Sequence, residues 1–183
     1  NVAVQAVTPG DFDGDGVLDL AVALFTCDAK SRLFIFLGRG DGTFEERAKA
    51  LGLAYQGTLW ATLYTDVDRD GFNDLLAMAE SCPPEQGNAW LRNLGPSGPG
   101  QSWEVASLPP VFQSPEAKGG TPMGGAVGDV NSDGLLDYAL SEIGLRGLLA
   151  GGTDLANTKG EDLKGAADSA NHLLLAKVDG TYA

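Results

Sequence analysis

Short apolar stretches, each bounded by polar or glycine-rich residues, recur along the whole chain. Runs of this length between turn signals favour β-strands over helices. The pattern predicts strands at Val2–Val7, Leu18–Phe25, Arg32–Leu37, Thr43–Arg47, Leu59–Thr65, Asp74–Ala79, Ala89–Asn93, Ser102–Ala106, Gly124–Val127, Leu136–Leu140 and His172–Lys177. The sequence therefore predicts an all-β protein.

A nine-residue acidic motif lies between a first and a second predicted strand, and it occurs three times. It reads Asp-Phe-Asp-Gly-Asp-Gly-Val-Leu-Asp at residues 11–19, Asp-Val-Asp-Arg-Asp-Gly-Phe-Asn-Asp at 66–74 and Asp-Val-Asn-Ser-Asp-Gly-Leu-Leu-Asp at 129–137. The motifs therefore begin 55 and 63 residues apart. Repeats near this length are typical of propeller blades or solenoid units rather than of a mixed α/β domain.

Oxygen-bearing side chains stand at positions 1, 3, 5 and 9 of each motif, and glycine stands at position 6. A hard cation such as Ca²⁺ takes about six to eight oxygen ligands, which a tight loop supplies from alternate residues. Glycine allows the sharp bend that a β-carbon disfavours. The predicted ligands, which include the backbone carbonyl at position 7, are Asp11, Asp13, Asp15, Val17, Asp19, Asp66, Asp68, Asp70, Phe72, Asp74, Asp129, Asn131, Asp133, Leu135 and Asp137. The chain is thus expected to bind up to three Ca²⁺ ions.

One Asp-Gly cluster would be as consistent with a solvated turn as with a metal site. Three clusters in identical register favour metal binding, because crowded carboxylates repel one another without a cation. Position 12 is Val22, Ala77 or Leu140, so the EF-hand and dockerin patterns, which need an acid there, do not apply. Asn131 supplies an oxygen without a charge, and we predict that the third site is the weakest.

Each repeat contains the strands of one propeller blade, which is usually four-stranded. The predicted segment spans residues 1–183, with blades at about 1–55, 56–115 and 116–183. The third blade carries an insertion at 144–171, for which a surface excursion is favoured over a functional loop. Three blades form a partial propeller with open edges, so we expect other protein chains or missing blades to complete it.

The composition is that of a globular protein, with 43% hydrophobic residues. The formal net charge is −13, and eleven of the 25 acidic residues lie in the three motifs. Three Ca²⁺ ions would bring that charge to about −7, an ordinary value for a soluble surface. No basic stripe is present to bind phosphates, so nucleic-acid binding is not expected.

No apolar run approaches the roughly 20 residues that a membrane-spanning helix needs. No signal peptide is visible and the sequence opens at Asn1, which indicates a mature or excised portion of a longer protein. Calcium-binding modules of extracellular proteins bind the ion weakly, and loops of this kind suggest an extracellular, cell-surface or periplasmic location. Cys27 and Cys82 each follow the last Asp of a motif by eight residues. A disulfide between repeats is as consistent with this placement as two buried thiols.

Other candidate chemistry is sparse. Residues 39–41 spell Arg-Gly-Asp, the tripeptide that integrins bind, but they lie on a predicted hairpin turn, and we interpret the match as coincidence. His172 is the only histidine and opens a strand, so a structural role is favoured for it. His-based metal sites and Ser-His-Asp catalysis are therefore not expected.

Several segments resemble FG-GAP/VCBS repeats, the blades of integrin-α-type β-propellers. The likeness is carried by residues 11–22, 37–44, 66–75, 128–137 and 171–174. The repeats resemble in particular those that precede ASPIC/UnbV domains and those of cartilage acidic protein. The literal Phe-Gly and Gly-Ala-Pro signatures of integrins are absent, which favours the VCBS type. The resemblance implies a calcium-binding loop between the first and second strands of each blade.

Together these features predict a non-enzymatic, calcium-binding β-propeller segment of an extracellular or cell-surface protein, acting in protein–protein interaction, adhesion or structural assembly. The alternative is a carbohydrate-binding or polysaccharide-lyase propeller with structural calcium. Trp60, Trp90 and Trp103 could line a glycan-binding face, but packing between blades is favoured for them. The patterned acids are assigned to calcium, so no catalytic residue is predicted.

Overall fold

The computed structural model describes residues 3–25, 32–80, 88–97, 100–106, 121–143, 172–174 and 176–177. These residues form the strands β1 (Ala3–Gly10), β2 (Asp19–Phe25), β3 (Leu33–Gly38), β4 (Phe44–Glu46), β5 (Thr58–Thr65), β6 (Asp74–Glu80), β7 (Ala89–Ser97), β8 (Gly100–Ala106), β9 (Thr121–Gly128), β10 (Asp137–Ile143) and β11 (His172–Leu174). The prediction of an all-β fold is confirmed. Within the described ranges, no helix is long and apolar enough to cross a membrane.

The chain divides into two compact units, Asn1–Leu108 and Pro109–Ala183. The first unit contains two four-stranded antiparallel sheets, whose orders β1-β2-β3-β4 and β5-β6-β7-β8 follow the chain as in propeller blades. The first strand of each sheet bulges at an equivalent place, between Val4 and Ala6 in β1 and between Leu59 and Ala61 in β5. A bulge bends and twists its strand. Since both first strands bulge at the same place, the repeat in the sequence is also a repeat in backbone geometry.

An apolar core lies between these two sheets. Ala21 and Ala23 of β2 are fully buried, whereas the residues that alternate with them are only half-buried. The small alanines allow the second sheet to come close, and Leu75, Leu91 and Trp103 belong to the same cluster. Full burial of one leucine side chain contributes about 1.5–3 kcal/mol, so this core stabilises the paired sheets.

The opposite face of the first sheet is also apolar but is less well covered. Val4 and Val7 are 59% and 52% exposed, and they pair with Leu24 and Val22 of β2. Residues directly opposite each other in an antiparallel ladder share one face. Val22 also pairs with Phe34 of β3. Apolar side chains therefore extend over three strands of this face.

The second unit contains an antiparallel sheet with the order β11-β10-β9. β10 begins with the buried last aspartate of the third motif, and its burial alternates from Tyr138 onward. Tyr138 and Leu140 are buried, and Ala139 between them is exposed. The β9–β10 ladder is also irregular between Ser141 and Glu142. This sheet therefore resembles the other two in the described residues.

The strands differ from the predicted ones mainly at their ends. β1 is longer than predicted and continues to Gly10. The larger difference is the β7–β8 hairpin, where the predicted strands end at Asn93 and begin again at Ser102. A bulge that includes Gly95, whose φ is 81°, lets Ser97 and Gly100 pair beyond it. Glycine takes a positive φ at little cost, so the ladder continues past the bulge and both strands are longer than predicted.

Parts of the sequence interpretation fall outside the described residues. These are the insertion at 144–171, the chain after Lys177, and both Cys27 and Cys82. The role of the insertion and the bridging of the two cysteines therefore stay predictions. The blade boundaries near residues 55 and 115 are likewise still predictions.

Candidate metal centre

The three acidic motifs occupy the same place in their sheets. β1 ends at Gly10 and β2 begins at Asp19, and the first motif is the loop between them. The second motif joins β5 to β6, and the third joins β9 to β10. Each loop therefore connects the first and second strands of its sheet, as predicted.

The aspartate at position 9 of each loop is buried and holds the loop to its own sheet. Asp19, Asp74 and Asp137 are 0%, 0% and 1% exposed. One carboxylate oxygen accepts the N–H of loop position 2, at 2.7, 3.1 and 3.0 Å respectively. The other accepts an N–H at or just after the third strand, at 2.8 Å each time, donated by Gly38, Asn93 and Ala176. This aspartate thus ties the loop to the third strand of its repeat.

The side chains at positions 1, 3 and 5 accept backbone N–H groups within the loop. In the first loop, Asp11 Oδ2 accepts the N–H of Gly16 at 2.9 Å, and Asp15 Oδ1 accepts that of Val17 at 2.7 Å. The same bonds measure 2.9 and 3.0 Å in the second loop and 2.8 and 2.9 Å in the third. Position 3 accepts the N–H of position 5 at 3.2, 3.2 and 3.0 Å. The three loops therefore share one hydrogen-bond pattern.

Two positions of each loop have a left-handed backbone. The glycines at position 6 have φ values of 83°, 95° and 86°, as the sharp bend requires. Position 4 is Gly14, Arg69 or Ser132, with φ values of 79°, 64° and 62°. A non-glycine residue adopts this conformation at a cost of about 1 kcal/mol or more. Sequence reasoning missed position 4, because only the first loop has a glycine there.

Carboxylate oxygens come together in two of the loops. Within the described part of the chain, acidic groups whose oxygens lie within 4.8 Å of one another are formed by Asp11, Asp13 and Asp15 and by Asp66, Asp68 and Asp74. The third loop, with an amide at position 3, forms no such group among these residues. The other predicted ligands lie on the same loops and are Val17, Asp19, Asp70, Phe72, Asp129, Asn131, Asp133, Leu135 and Asp137. The ligand role of every predicted residue stays a prediction.

The donor set suits a hard divalent cation. Carboxylate and carbonyl oxygens are the ligands that Ca²⁺ prefers. Three carboxylates within 4.8 Å of one another repel unless a cation or a proton neutralises them. The residues present in the two acidic groups therefore fit a hard divalent cation, of which Ca²⁺ is the one predicted from the sequence.

Two aromatic residues of the second sheet hold the backbone of the first loop. The Tyr64 hydroxyl donates to the carbonyl of Asp11 at 2.7 Å, and the Trp103 indole N–H donates to the carbonyl of Phe12 at 3.0 Å. The Phe12 ring lies 4.9 Å from the Tyr64 ring and 6.2 Å from that of Trp103. Trp103 thus packs between the sheets, as predicted. Sequence reasoning missed both hydrogen bonds, which join residues 53 and 91 positions apart.

Comparison with known families identifies the same repeat. A sequence profile of the FG-GAP-like repeat matches residues 11–77 and again residues 66–140. Together the two matches cover more than two thirds of the chain. The chain belongs to the FG-GAP-like repeat family. Each match begins at the first aspartate of one loop and ends in the second strand of the next FG-GAP-like repeat.

The resemblance of the sequence to FG-GAP repeats is therefore confirmed. No curated protein matches the chain. The finer likeness to repeats associated with ASPIC/UnbV domains and with cartilage acidic protein stays a prediction. The match supports the assignment of the FG-GAP-like sheets as propeller blades, in agreement with their meander topology.

Burial raises the pKa of several carboxyl groups in the FG-GAP-like loops. Desolvation raises the pKa of Asp74 to about 6, against the hydrogen bonds from Asn93 and Val67, which lower it. Desolvation is also the largest cause of the raised pKa of Asp19 and of Asp13. A charged carboxylate is therefore costly in a metal-free loop, and a bound cation would offset that cost.

We expect the metal-free FG-GAP-like chain to lose stability through Asp74 as the pH rises. Its folded-state pKa is about 6, against an ordinary value of 3.8. Because the folded chain holds this proton more tightly than the unfolded chain, the protonated group stabilises the fold fully below about pH 4. That contribution is lost as the pH rises through about 6.

Melting temperatures of the chelator-treated, desalted protein at about pH 5 and pH 7 measure this effect. The Asp74→Asn variant lacks the titrating group and is the control. We expect the wild-type protein to lose more stability between the two pH values than the variant does. An equal loss in both proteins would contradict the assignment of the raised pKa to Asp74.

The Arg-Gly-Asp tripeptide has a structural use in the first FG-GAP-like sheet, on the β3–β4 hairpin. The Arg39 guanidinium lies 2.8 Å from the Glu45 carboxylate. The Asp41 carboxylate accepts the N–H and the hydroxyl of Thr43 at 2.9 and 2.6 Å. Both charged side chains thus have partners within the hairpin, which supports the interpretation of the tripeptide as a turn.

Two residues that the sequence offered as candidates for other functions, His172 and Trp60, lie within the sheets. His172 pairs with Leu140 in the β10–β11 ladder. The Trp60 ring lies 4.3 Å from that of Phe25, across the two sheets of the first unit. The ring contact agrees with a structural role for Trp60, and His172 opens a strand as predicted.

Proposed function

We propose that this FG-GAP-like chain is a calcium-binding β-propeller segment whose calcium ions are structural, and that it is not an enzyme. The observation that supports this most directly is the shared loop geometry, in which carboxylate oxygens are grouped within 4.8 Å in two loops. Grouping like charges this closely is costly in a turn that binds no cation. Calcium would bind the folded loops in preference to the unfolded chain and so stabilise the fold.

The fixed setting of the loops favours structural over catalytic calcium. A catalytic metal site keeps a coordination position open for substrate or water. Here each loop is a short connection, and its buried position-9 aspartate holds it to the third strand. Tyr64 and Trp103 add a second restraint on the first loop. Rigid loops of this kind suit a metal that maintains architecture.

For the role of the segment we propose protein–protein interaction, adhesion or structural assembly. The apolar face of the first sheet supports this, because Val4 and Val7 are more than half exposed on it. Exposed apolar patches on soluble proteins commonly mark interaction surfaces. The proposed partners are other protein chains or further blades that cover this face.

The proposed location is extracellular or at the cell surface. Extracellular calcium modules have dissociation constants of about 10⁻⁴ to 10⁻³ M. Sites of that strength fill only where calcium is abundant. Three bound Ca²⁺ ions would also neutralise part of the net charge of −13, much of which lies in the loops.

Calorimetric titration of the chelator-treated protein with calcium chloride tests this proposal. We expect up to three equivalents, with the third loop the weakest because Asn131 brings no charge there. Asp13→Asn and Asp68→Asn should each weaken one equivalent by about tenfold or more, since ligand charge sets calcium affinity. Asp41→Asn, which removes an acid outside the loops, is the matched control and should leave all affinities unchanged. Absence of binding at about 10 mM calcium would refute the proposal.

A further inference from the structure

One basic side chain reaches the acidic group of the second loop. Arg92 lies on β7, and its Nε donates to Asp68 Oδ2 at 2.6 Å. Its Nη2 lies 3.6 Å from Asp70 Oδ2, and its Nη1 lies 3.5 Å from Glu104 Oε1. The guanidinium also lies over the Trp90 ring, 5.5 Å from its centroid. A permanent positive charge therefore contacts two of the carboxylates that are predicted to bind calcium.

The other two repeats have no arginine at this place. Asn93, the residue after Arg92, donates its N–H to the position-9 aspartate of the second loop, and Gly38 does the same in the first loop. The residue before Gly38 is Leu37. In the third repeat the donor is Ala176, and the sequence places a leucine before it. Arg92 is thus a feature of the second repeat.

A guanidinium and a calcium ion would compete for the carboxylate of Asp68. Asp68 belongs to the acidic group of the second loop, and one of its oxygens already accepts the Arg92 bond. The side chain of Arg92 is 32% exposed and that of Asp68 is 21% exposed, so solvent screens their interaction only in part. Arginine stays protonated at any pH at which the protein folds. Calcium binding at this loop must therefore work against a fixed positive charge.

We propose that Arg92 is an internal counter-cation of the second loop, which lowers the calcium affinity of that loop and stabilises it when calcium is absent. Glu104 is the carboxylate to which the guanidinium turns when calcium takes Asp68. This inference rests on the proposed function, namely that the loops bind calcium. It follows that the second loop fills at a higher calcium concentration than the first, even though both loops have four aspartates.

The Arg92→Leu variant tests the proposal. It places a leucine in the second repeat at the position that Leu37 occupies in the first. The calcium affinity of the second loop is measured by calorimetry in a background of Asp13→Asn and Asp133→Asn, which weaken the other two loops. We expect Arg92→Leu to raise that affinity about tenfold, within the usual range of coupling between two sites. We also expect the metal-free variant to melt at a lower temperature than its parent, and calcium to raise its melting temperature by more.

Three further variants separate charge from packing. Arg92→Lys keeps the charge and should bind calcium with an affinity close to that of the parent. Arg39→Leu removes an equal charge from the β3–β4 hairpin and should leave the calcium affinity of the second loop unchanged. Glu104→Gln removes the alternative partner, so it should lower the affinity of the second loop in the parent and have no effect in Arg92→Leu.

The outcomes distinguish this inference from the proposed function. If the wild-type protein binds calcium and Arg92→Leu leaves the affinity of the second loop unchanged, the counter-cation role is wrong and the calcium proposal stands. An equal gain of calcium affinity in Arg92→Lys would also contradict the counter-cation role, because it would show that side-chain shape and not charge sets the affinity. If the wild-type protein binds no calcium at any loop, the proposed function fails, and the affinity role of Arg92 fails with it.

Discussion

Removal of calcium is expected to lower the melting temperature of the protein by about 10 °C or more. A ligand present at about 100 times its dissociation constant stabilises the folded state by about 2.7 kcal/mol per site. Two such sites contribute about 5 kcal/mol, and for a chain of 183 residues each kcal/mol corresponds to about 2–4 °C. Scanning calorimetry of the protein in calcium and in chelator measures the shift.

Magnesium at the same ionic strength is the control for this measurement. Any salt screens the repulsion within a chain of net charge −13 and so stabilises it somewhat. Magnesium demands near-ideal octahedral geometry and dehydrates reluctantly, so we expect it to recover only a small part of the calcium effect. Equal melting temperatures in calcium and in chelator would refute structural calcium. If magnesium and calcium raised the melting temperature equally, the stabilisation would be explained by screening of the net negative charge.

Replacing Asp19 by alanine is expected to destabilise the metal-free protein by about 2–4 kcal/mol. The Asp19 carboxylate is fully buried and accepts the N–H groups of Phe12 and Gly38 at 2.7 and 2.8 Å. Without the carboxylate the buried N–H of Phe12 and the partly buried N–H of Gly38 both lose their partner, and an unsatisfied buried donor costs about 1–3 kcal/mol. Asp19→Asn keeps one acceptor oxygen, so its free energy of unfolding should lie between those of the wild-type protein and the alanine variant.

The matched control is Asp15→Ala in the same loop. Asp15 is exposed and accepts the N–H of Val17 at 2.7 Å, a bond that water can replace. We expect this change to cost less than about 1 kcal/mol. Urea denaturation in the presence of chelator excludes any contribution from metal binding in all three variants. A loss for Asp19→Ala no larger than that for Asp15→Ala would show that position 9 does not hold the loop to the third strand.

Local signals were sufficient to predict the architecture of this chain. Short apolar runs bounded by turn signals marked strands such as β2 and β6. The acidic motifs marked the connections between first and second strands, because their spacing and glycines belong to a tight loop. The family resemblance was carried by the same local residues, and the profile match begins at Asp11 and again at Asp66.

Contacts between residues far apart in the chain could not be predicted in this way. Tyr64 and Trp103 have ordinary strand positions in the sequence, and their hydrogen bonds to the first loop exist only because two sheets pack together. Arg92 carried a weak signal as a charged residue within an apolar strand, but its contact with Asp68 depends on the pairing of β6 with β7. The left-handed conformation of Arg69 and Ser132 is imposed by the loop and not by their own preference.

The hydrogen bonds of the position-9 aspartates also bear on how the chain folds. In the first two repeats they join residues 7 and 19 positions apart, whereas the Trp103 bond between the sheets joins residues 91 positions apart. The entropy lost on closing a segment grows with its length, and contacts between near neighbours tend to form first. Each of these two repeats can therefore join its loop to its third strand before the two sheets pack together. The placement of one aspartate thus favours folding of the chain repeat by repeat.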